Sequence, residues 1–421
     1  MTTSCWGSCS FRAFEHSLGD MNKMMTRIGS PRSLHLSLLC RRSAMTAVCV
    51  MVWVAVAVAQ SSGDWPQYRH DDAHSGVNPA ESTLSAANVA RLEPIWTFTT
   101  GSLLTSSPAV VNGIVYIGGG DGFVYALNAE TGALIWKTLT EGGGTACSPA
   151  VFNGVVYIGT GTDTGFFYAL DAATGKILRK GANGGFTSSP AGSHGVLYVG
   201  SNDNRIFAAS VAKRKVLWAT PADNSVGSSP AVVGGGVFVA SESGTTYGIN
   251  AATGKVVWTT PTGFPVGVFS SPAVSNGKVY LGSRGDSSIY ALDARTGAVV
   301  WQVPLEPFEE VLFSSPAVAD GVIYIGSNFG TVRALDAETG ATVWKQNPAA
   351  SGIFDSSPAV ANGVLYIGSE NFNFYALDAS TGELLRTLPT GGPIFSSPAV
   401  SNGKVYVGSF DHKVYAFGLK N

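Results

Sequence analysis

The sequence predicts an all-β chain: an eight-bladed β-propeller of four-stranded antiparallel blades, with an N-terminal strand completing the last blade. Three observations carry this. The tripeptide Ser-Ser-Pro, once Cys-Ser-Pro, recurs eight times, with prolines at 108, 149, 190, 230, 272, 316, 358 and 398, spaced 40 to 44 residues apart. Each interval holds four short β-type runs separated by turn residues, the signature of one blade per repeat. With Gly at 52 of 421 residues and charged residues at 13%, the composition suits many tight turns and covered sheet faces, without collagen periodicity or disordered-type polarity.

The chain divides into 1–59, a presequence, 60–91, a lead-in, and 92–421, the propeller. Arg41-Arg42 precede an apolar run from Ala44 to Val58, and Ala57-Val58-Ala59 offers small residues for cleavage before Gln60. This reads as a secretory signal, too short for a confident transmembrane helix. Export to the periplasm or outside the cell is the expected destination, with no membrane span left after cleavage. A twin-arginine route is the weaker reading, because "CRRSAMT" lacks the usual Phe-Leu.

Removing 1–59 leaves 20 basic and 26 acidic residues, so no field draws the chain to nucleic acid. It also removes Cys5, Cys9, Cys40 and Cys49. Cys147 alone remains, and no intramolecular disulfide is possible. Leu39 and Val48 precede Cys40 and Cys49, which argues against a lipid-anchoring cysteine.

Within a repeat, "SSPAV" is the expected first strand, Asn-Gly or Asp-Gly the hairpin turn, "VLYIG" the second strand, "YALDA" the third and "VVW" the fourth. No useful 3.6-residue apolar stripe appears after residue 60. Trp136, Trp218, Trp258, Trp301 and Trp344 end the fourth strands, with Arg179 and Arg386 at the same place in two copies. These are expected to pack between blades, the arginines by stacking their planar groups. The last copy stops after three strands at "KVYAFGLKN", while "RLEPIWTFTTG" upstream contains Trp96 in an orphan fourth strand. Pairing the two completes the eighth blade and leaves no open edge.

The repeat "YALDA-x-TG-x-x-x-W" and the lead-in "DWPQYRHDDAHSGVNPAESTLSAANVARLEPIWTFTTG" resemble the pyrroloquinoline-quinone-like, tryptophan-docking β-propeller family, over about 64–421. The resemblance implies one of two functions. Dehydrogenases of this superfamily hold the quinone between a Trp floor and a vicinal Cys-Cys disulfide, with calcium and an Asp base. This sequence has no Cys-Cys pair, no haem motif and no long insertion to cap a cofactor. Non-catalytic members resemble the lipoprotein adaptor of outer-membrane β-barrel assembly, whose lipid-acceptor cysteine has no counterpart here. The favoured expectation is a monomeric, non-catalytic scaffold with a protein partner in the cell envelope and no cofactor. A quinone- and calcium-dependent dehydrogenase, or a propeller binding carbohydrate or another ligand, is the alternative.

The residue three before each repeat proline is expected to ring the channel: Thr105, Ala146, Thr187, Gly227, Phe269, Phe313, Asp355 and Phe395. One half is small and the other aromatic, broken by Asp355. The loops on the aromatic half are longer and more apolar. Phe269, Phe308, Glu309, Glu310, Phe313, Phe354, Asp355 and Phe395 are therefore the candidate interaction face. The competing reading has these Phe side chains filling gaps between blades. No catalytic or metal residue is assigned. The serine pairs lack a partnering His and read as strand residues. Cys147 reads as a small packing residue. His70, Asp71, Asp72 and His74 have zinc-like spacing only if helical. Arg284-Gly285-Asp286 reads as a turn, and His412 beside Asp411 as a surface histidine.

Overall fold

A computed structural model describes residues 63–145, 147–161, 164–263, 269–349 and 352–420, all within the unit Ala57–Asn421. The presequence with its four cysteines, the first lead-in residues, and Ala146 of the expected ring lie outside the described residues. Among those described, thirty-two strands form eight four-stranded antiparallel sheets, with one short 3-10 helix at Val89–Arg91. In the last sheet the strand Leu92–Thr99 pairs antiparallel with Lys413–Leu419, from Leu92 opposite Leu419 to Thr99 opposite Lys413. The orphan strand thus closes the ring as expected.

Blade 1 shows the local logic. Its strands are Ala109–Val111, Ile114–Gly118, Phe123–Asn128 and Leu134–Leu139. The first turn is Asn112-Gly113, with φ of 52° and 73°. Positive φ at both positions matches the right-handed twist of the flanking strands. The inner strand is shorter than "SSPAV" suggests, because the Ser-Ser-Pro stretch precedes it. Proline has no N–H to give a ladder, and both serines are committed elsewhere. The second and third strands are almost wholly buried, since neighbouring blades cover both faces. Residues 134–139 alternate exposed and less exposed at the rim.

Blades dock through tryptophan. Trp136 Nε1 donates to the Ala172 carbonyl of the next blade at 2.9 Å. A Cβ on Gly175 would lie 2.6 Å from the Trp136 ring. The Thr-Gly turn of one blade is therefore the platform for the tryptophan of the preceding one. Trp96, Trp218, Trp258, Trp301 and Trp344 repeat the bond, to Ala129, Ala251, Ala294, Ala337 and Ala379.

The arginines mark where that platform is missing. Arg179 faces blade 3, whose turn carries Arg214 where the others carry glycine. Its side chain is exposed and does not take a tryptophan's buried place, contrary to expectation. Arg386 faces blade 8, whose third strand ends at Leu419. There its Nε donates to the Leu92 carbonyl at 3.2 Å, an inter-blade contact made by hydrogen bonding.

The lead-in is more than an approach to the first strand. It makes one circuit inside the ring and meets all eight inner strands in order. Val110 exchanges two backbone bonds with Trp65, each 2.7 Å. Val151 donates to Pro66, Val232 to Asp72, Val274 to Ala73, Val318 to Ser75 and Val360 to Gly76. For blade 3, Gly192 donates to Gln67 Oε1 at 2.8 Å. For blade 8, Asn78 Nδ2 donates to the Val400 carbonyl at 2.8 Å. The channel-facing backbone groups of the inner strands, which would otherwise need water, are satisfied this way. Buried Arg69 donates to the carbonyls of Pro316 and Pro358 across the same space.

Candidate functional site: the central cavity

The two serines of each repeat do different jobs. The first bonds within its blade: Ser106 Oγ accepts from Gly118 N–H at 3.1 Å, and the other copies do the same. Cys147 takes this role in blade 2, its Sγ accepting from Gly159 N–H at 3.0 Å. Burial pushes its thiol up to about 12, so it is an inert packing group.

The second serine bonds between blades. Each accepts the backbone N–H of its counterpart in the preceding blade: Ser107 to Ser148, Ser148 to Ser189, Ser189 to Ser229, and Ser229 to Ser271. Ser271 continues to Ser315, Ser315 to Ser357, Ser357 to Ser397 and Ser397 to Ser107. Eight hydrogen bonds of 2.8 to 3.0 Å close a circle around the channel.

Above this circle is a cavity of about 390 Å³. Its floor is Tyr68 of the lead-in, whose hydroxyl lies 3.1 Å from the Ser315 and Ser357 hydroxyls. The cavity is therefore blind. Its walls bring together the expected ring: Thr105, Thr187, Gly227, Phe269, Phe313, Asp355 and Phe395. Phe269 and Phe313 pack with centroids 4.9 Å apart, and Phe395 stacks on Phe410 at 4.4 Å.

Besides Tyr68 and the second serines, two lining residues escape the sequence reading, Glu242 and Phe410. Both sit twelve residues after a repeat proline, in loops joining second to third strands. That offset is the signal that would have found them. It also marks Arg284, Asn328 and Glu370 as members of an outer ring.

Asp355 is 6% exposed, and its Oδ1 is buried without a hydrogen-bond partner. Burial pushes its carboxyl up to about 8, helped by a hydrogen bond to Glu370 and by that residue's charge, while Arg284 pulls the other way. Burial and a neighbouring carboxylate both favour the protonated form of Asp355. Arg284 itself reaches Glu310 at 3.3 Å.

The other candidate-face residues separate into two groups. Phe308 is 84% exposed and Phe313 46%. Phe329 and Phe372, in second-to-third strand loops, are exposed at the same end of the ring. Phe354 and Glu309, expected on the face, are buried. Phe354 packs with the neighbouring Tyr375 of blade 7 at 5.9 Å, so for this residue gap-filling prevails. Glu309 is ion-paired to buried Arg333 and accepts from Ser327 Oγ at 2.8 Å. Arg333 stands where blades 1, 5 and 8 place a tyrosine, and a buried guanidinium demands a carboxylate.

The lesser motifs resolve as structure. Asp286 is held by Tyr290 and Gln302 of the third and fourth strands of its own blade. His412 is exposed. His70 and His74 lie in turns at positive φ, 76° and 55°, and Asp71 caps Ser75. Burial lowers His74 to about 4, keeping it neutral. Among the described residues, no group of three or more His, Cys, Asp or Glu side chains is placed to hold a metal ion.

Comparison with known proteins agrees with this architecture. The family model described as outer membrane protein assembly factor BamB matches residues 80–179, 139–225, 210–332 and 328–421. The crystal structure of BamB from Moraxella catarrhalis is 19% identical, with a TM-score of 0.65 over 78% of this chain and 98% of that one. A europium-containing methanol dehydrogenase is 17% identical, with a TM-score of 0.72 over 85% and 98%. The quinohemoprotein alcohol dehydrogenase from Comamonas testosteroni is 16% identical, with a TM-score of 0.71 over 85% and 80%. At these identities the neighbours establish the fold. No curated protein matches the chain.

Proposed function

This chain belongs to the family of the outer membrane protein assembly factor BamB, and on that premise we propose that it is an exported, non-catalytic propeller that docks a protein partner in the cell envelope. The docking surface is the loop face of blades 5 to 8. The observation that carries this reading is the exposure of Phe308, Phe313, Phe329 and Phe372 in loops at one end of the ring. Large exposed aromatics are costly in water and are favoured as interface anchors. Among the described residues no helix is long and apolar enough to cross a membrane.

The dehydrogenase reading fits the fold but not the lining of the cavity. Pyrroloquinoline quinone carries three carboxylates, and no Lys, Arg or His lines the cavity, whereas Glu242 and Asp355 do. An anionic cofactor would enter a negative, partly apolar site against electrostatics. Calcium sites draw on several carboxylate oxygens, and the described residues hold no group of three or more His, Cys, Asp or Glu placed for a metal.

A photo-crosslinking residue at position 308, with one at outer-strand position 135 as control, tests the docking face in intact envelopes. Ile135 is 45% exposed, so both positions are accessible. Adducts with a discrete partner at 308 and none at 135 are expected. Equal labelling, or none at 308, would remove the basis for this face.

A further inference from the structure

We propose that the blind central cavity is a binding site for an organic ammonium cation. Three independent features of its wall converge on this chemistry. First, the aromatic half is built from two ring pairs, Phe269 with Phe313 and Phe395 with Phe410. Aromatic faces carry negative electrostatic potential and attract cations, most strongly where water is excluded. Second, the charged groups on the wall are carboxyls, Glu242 and Asp355, with no cationic side chain among the lining residues. Third, the Asp355 Oδ1 atom is buried on a side chain 94% buried that lines the cavity, and no N–H or hydroxyl donor reaches it. A buried acceptor left open costs free energy unless a donor arrives.

The surrounding charges do not cancel this preference. Glu370 is hydrogen-bonded to Asp355 and adds to its preference for the protonated form. Arg284, in the second-to-third strand loop of blade 5, acts on Asp355 but is engaged by Glu310. Glu242 is held by the Ser225 hydroxyl at 3.1 Å, a neutral donor. The lining itself holds two carboxyls, Glu242 and Asp355, and no Lys, Arg or His. The serine circle beneath adds hydroxyls that already accept backbone N–H groups. Ser107, Ser148, Ser189, Ser229, Ser271 and Ser397 line the cavity as neutral hydroxyls.

The volume sets the scale of the ligand. About 390 Å³ admits a headgroup such as choline or the end of a lysine side chain, and excludes a folded element. The site's chemistry is the same for a free amine and for a lysine presented by a protein. It does not depend on the docking face described above, since a small cation needs no partner to enter.

The test is calorimetric or NMR titration of the full exported chain with choline, its uncharged carbon isostere, glucose and N-acetyl-lysine amide. Choline and the lysine derivative should bind saturably with Kd on the order of 1 mM, the strength of a small desolvated cation–aromatic site. Asp355→Asn and Phe395→Leu should each weaken binding by about fivefold, or about 1 kcal/mol, with unfolding midpoints checked to show that both variants are folded. A lysine-containing peptide binding about tenfold more tightly than the free derivative would assign the source to a protein. Equal binding of the uncharged isostere or glucose would overturn the proposal. So would an absence of choline binding to the folded wild-type chain.

Discussion

The backbone N–H of Ser397 donates to the hydroxyl of Ser107 at 2.9 Å, joining residues 290 apart in the chain. This bond completes the serine circle, and each of the eight has the same sense around the ring. Ser107→Ala leaves the Ser397 N–H buried with no acceptor. It should destabilise the fold by about 1 to 3 kcal/mol in urea unfolding. Exposed Ser82→Ala should fall within about 0.5 kcal/mol of wild type. Equal effects of the two would mean that water replaces the circle's acceptors.

Much of this was legible beforehand. The spacing of the prolines gives the blade count, and Trp96 gives the closure. The channel ring is readable because every repeat presents the same offset to the axis. What stayed hidden has physical reasons. The lead-in's circuit is made largely of backbone bonds, which any sequence can supply. Glu309 looks like surface charge until Arg333, in a slot given to tyrosine elsewhere, is recognised as its partner. Phe354 and Phe313 are both loop phenylalanines before a repeat proline. Only packing distinguishes the buried one from the half-exposed one.

Glu309 and Arg333 form a buried pair on the loop face. Burial alone would raise the Glu309 carboxyl, but the Arg333 and Ser327 hydrogen bonds and the Arg333 and Lys345 charges outweigh it and lower it. A carboxyl lower in the folded than in the unfolded state contributes stability above its ordinary range and loses it on acidification. Glu309→Gln should cost about 3 kcal/mol at neutral pH, because Arg333 stays buried without its counter-charge. The difference from wild type should shrink as pH falls below the ordinary glutamate range. A pH-independent difference would show that the charge itself contributes nothing.

Asp355 behaves in the opposite sense. Its carboxyl rises to about 8 on folding, chiefly through burial and then through Glu370. The folded state binds the extra proton, so stability is greatest at low pH and declines as pH rises toward about 8. Asp355→Asn removes the decline. The variant should be more stable than wild type at pH about 8 and converge with it near pH about 4, in unfolding measured across that range. A variant less stable than wild type at every pH would show that the carboxyl is a structural hydrogen-bonding group.

Arg69 is buried in the lead-in and feeds two proline carbonyls in blades 6 and 7. Burial lowers its guanidinium to about 10, which remains charged at neutral pH. Arg69→Ala should cost about 3 kcal/mol or more, as two buried acceptors lose a charged donor. Arg69→Lys should recover only part of this, since one ammonium cannot reproduce a planar fork. Full recovery by lysine would show that charge alone matters at this place.

The circuit of residues 65–78 assigns each blade its own partner: Trp65, Pro66, Gln67, Asp72, Ala73, Ser75, Gly76 and Asn78 meet blades 1 to 8 in turn. Eight similar repeats contain little to tell a ring how many members to admit, because six of their eight junctions use the same tryptophan contact. The segment supplies that information as a gauge. A ring with one repeat fewer would strand one of its contacts, and a ring with one more would leave an inner strand unserved. The number of blades is thus written twice in the chain, once as a tally of repeats and once as a template fourteen residues long against which the tally is checked.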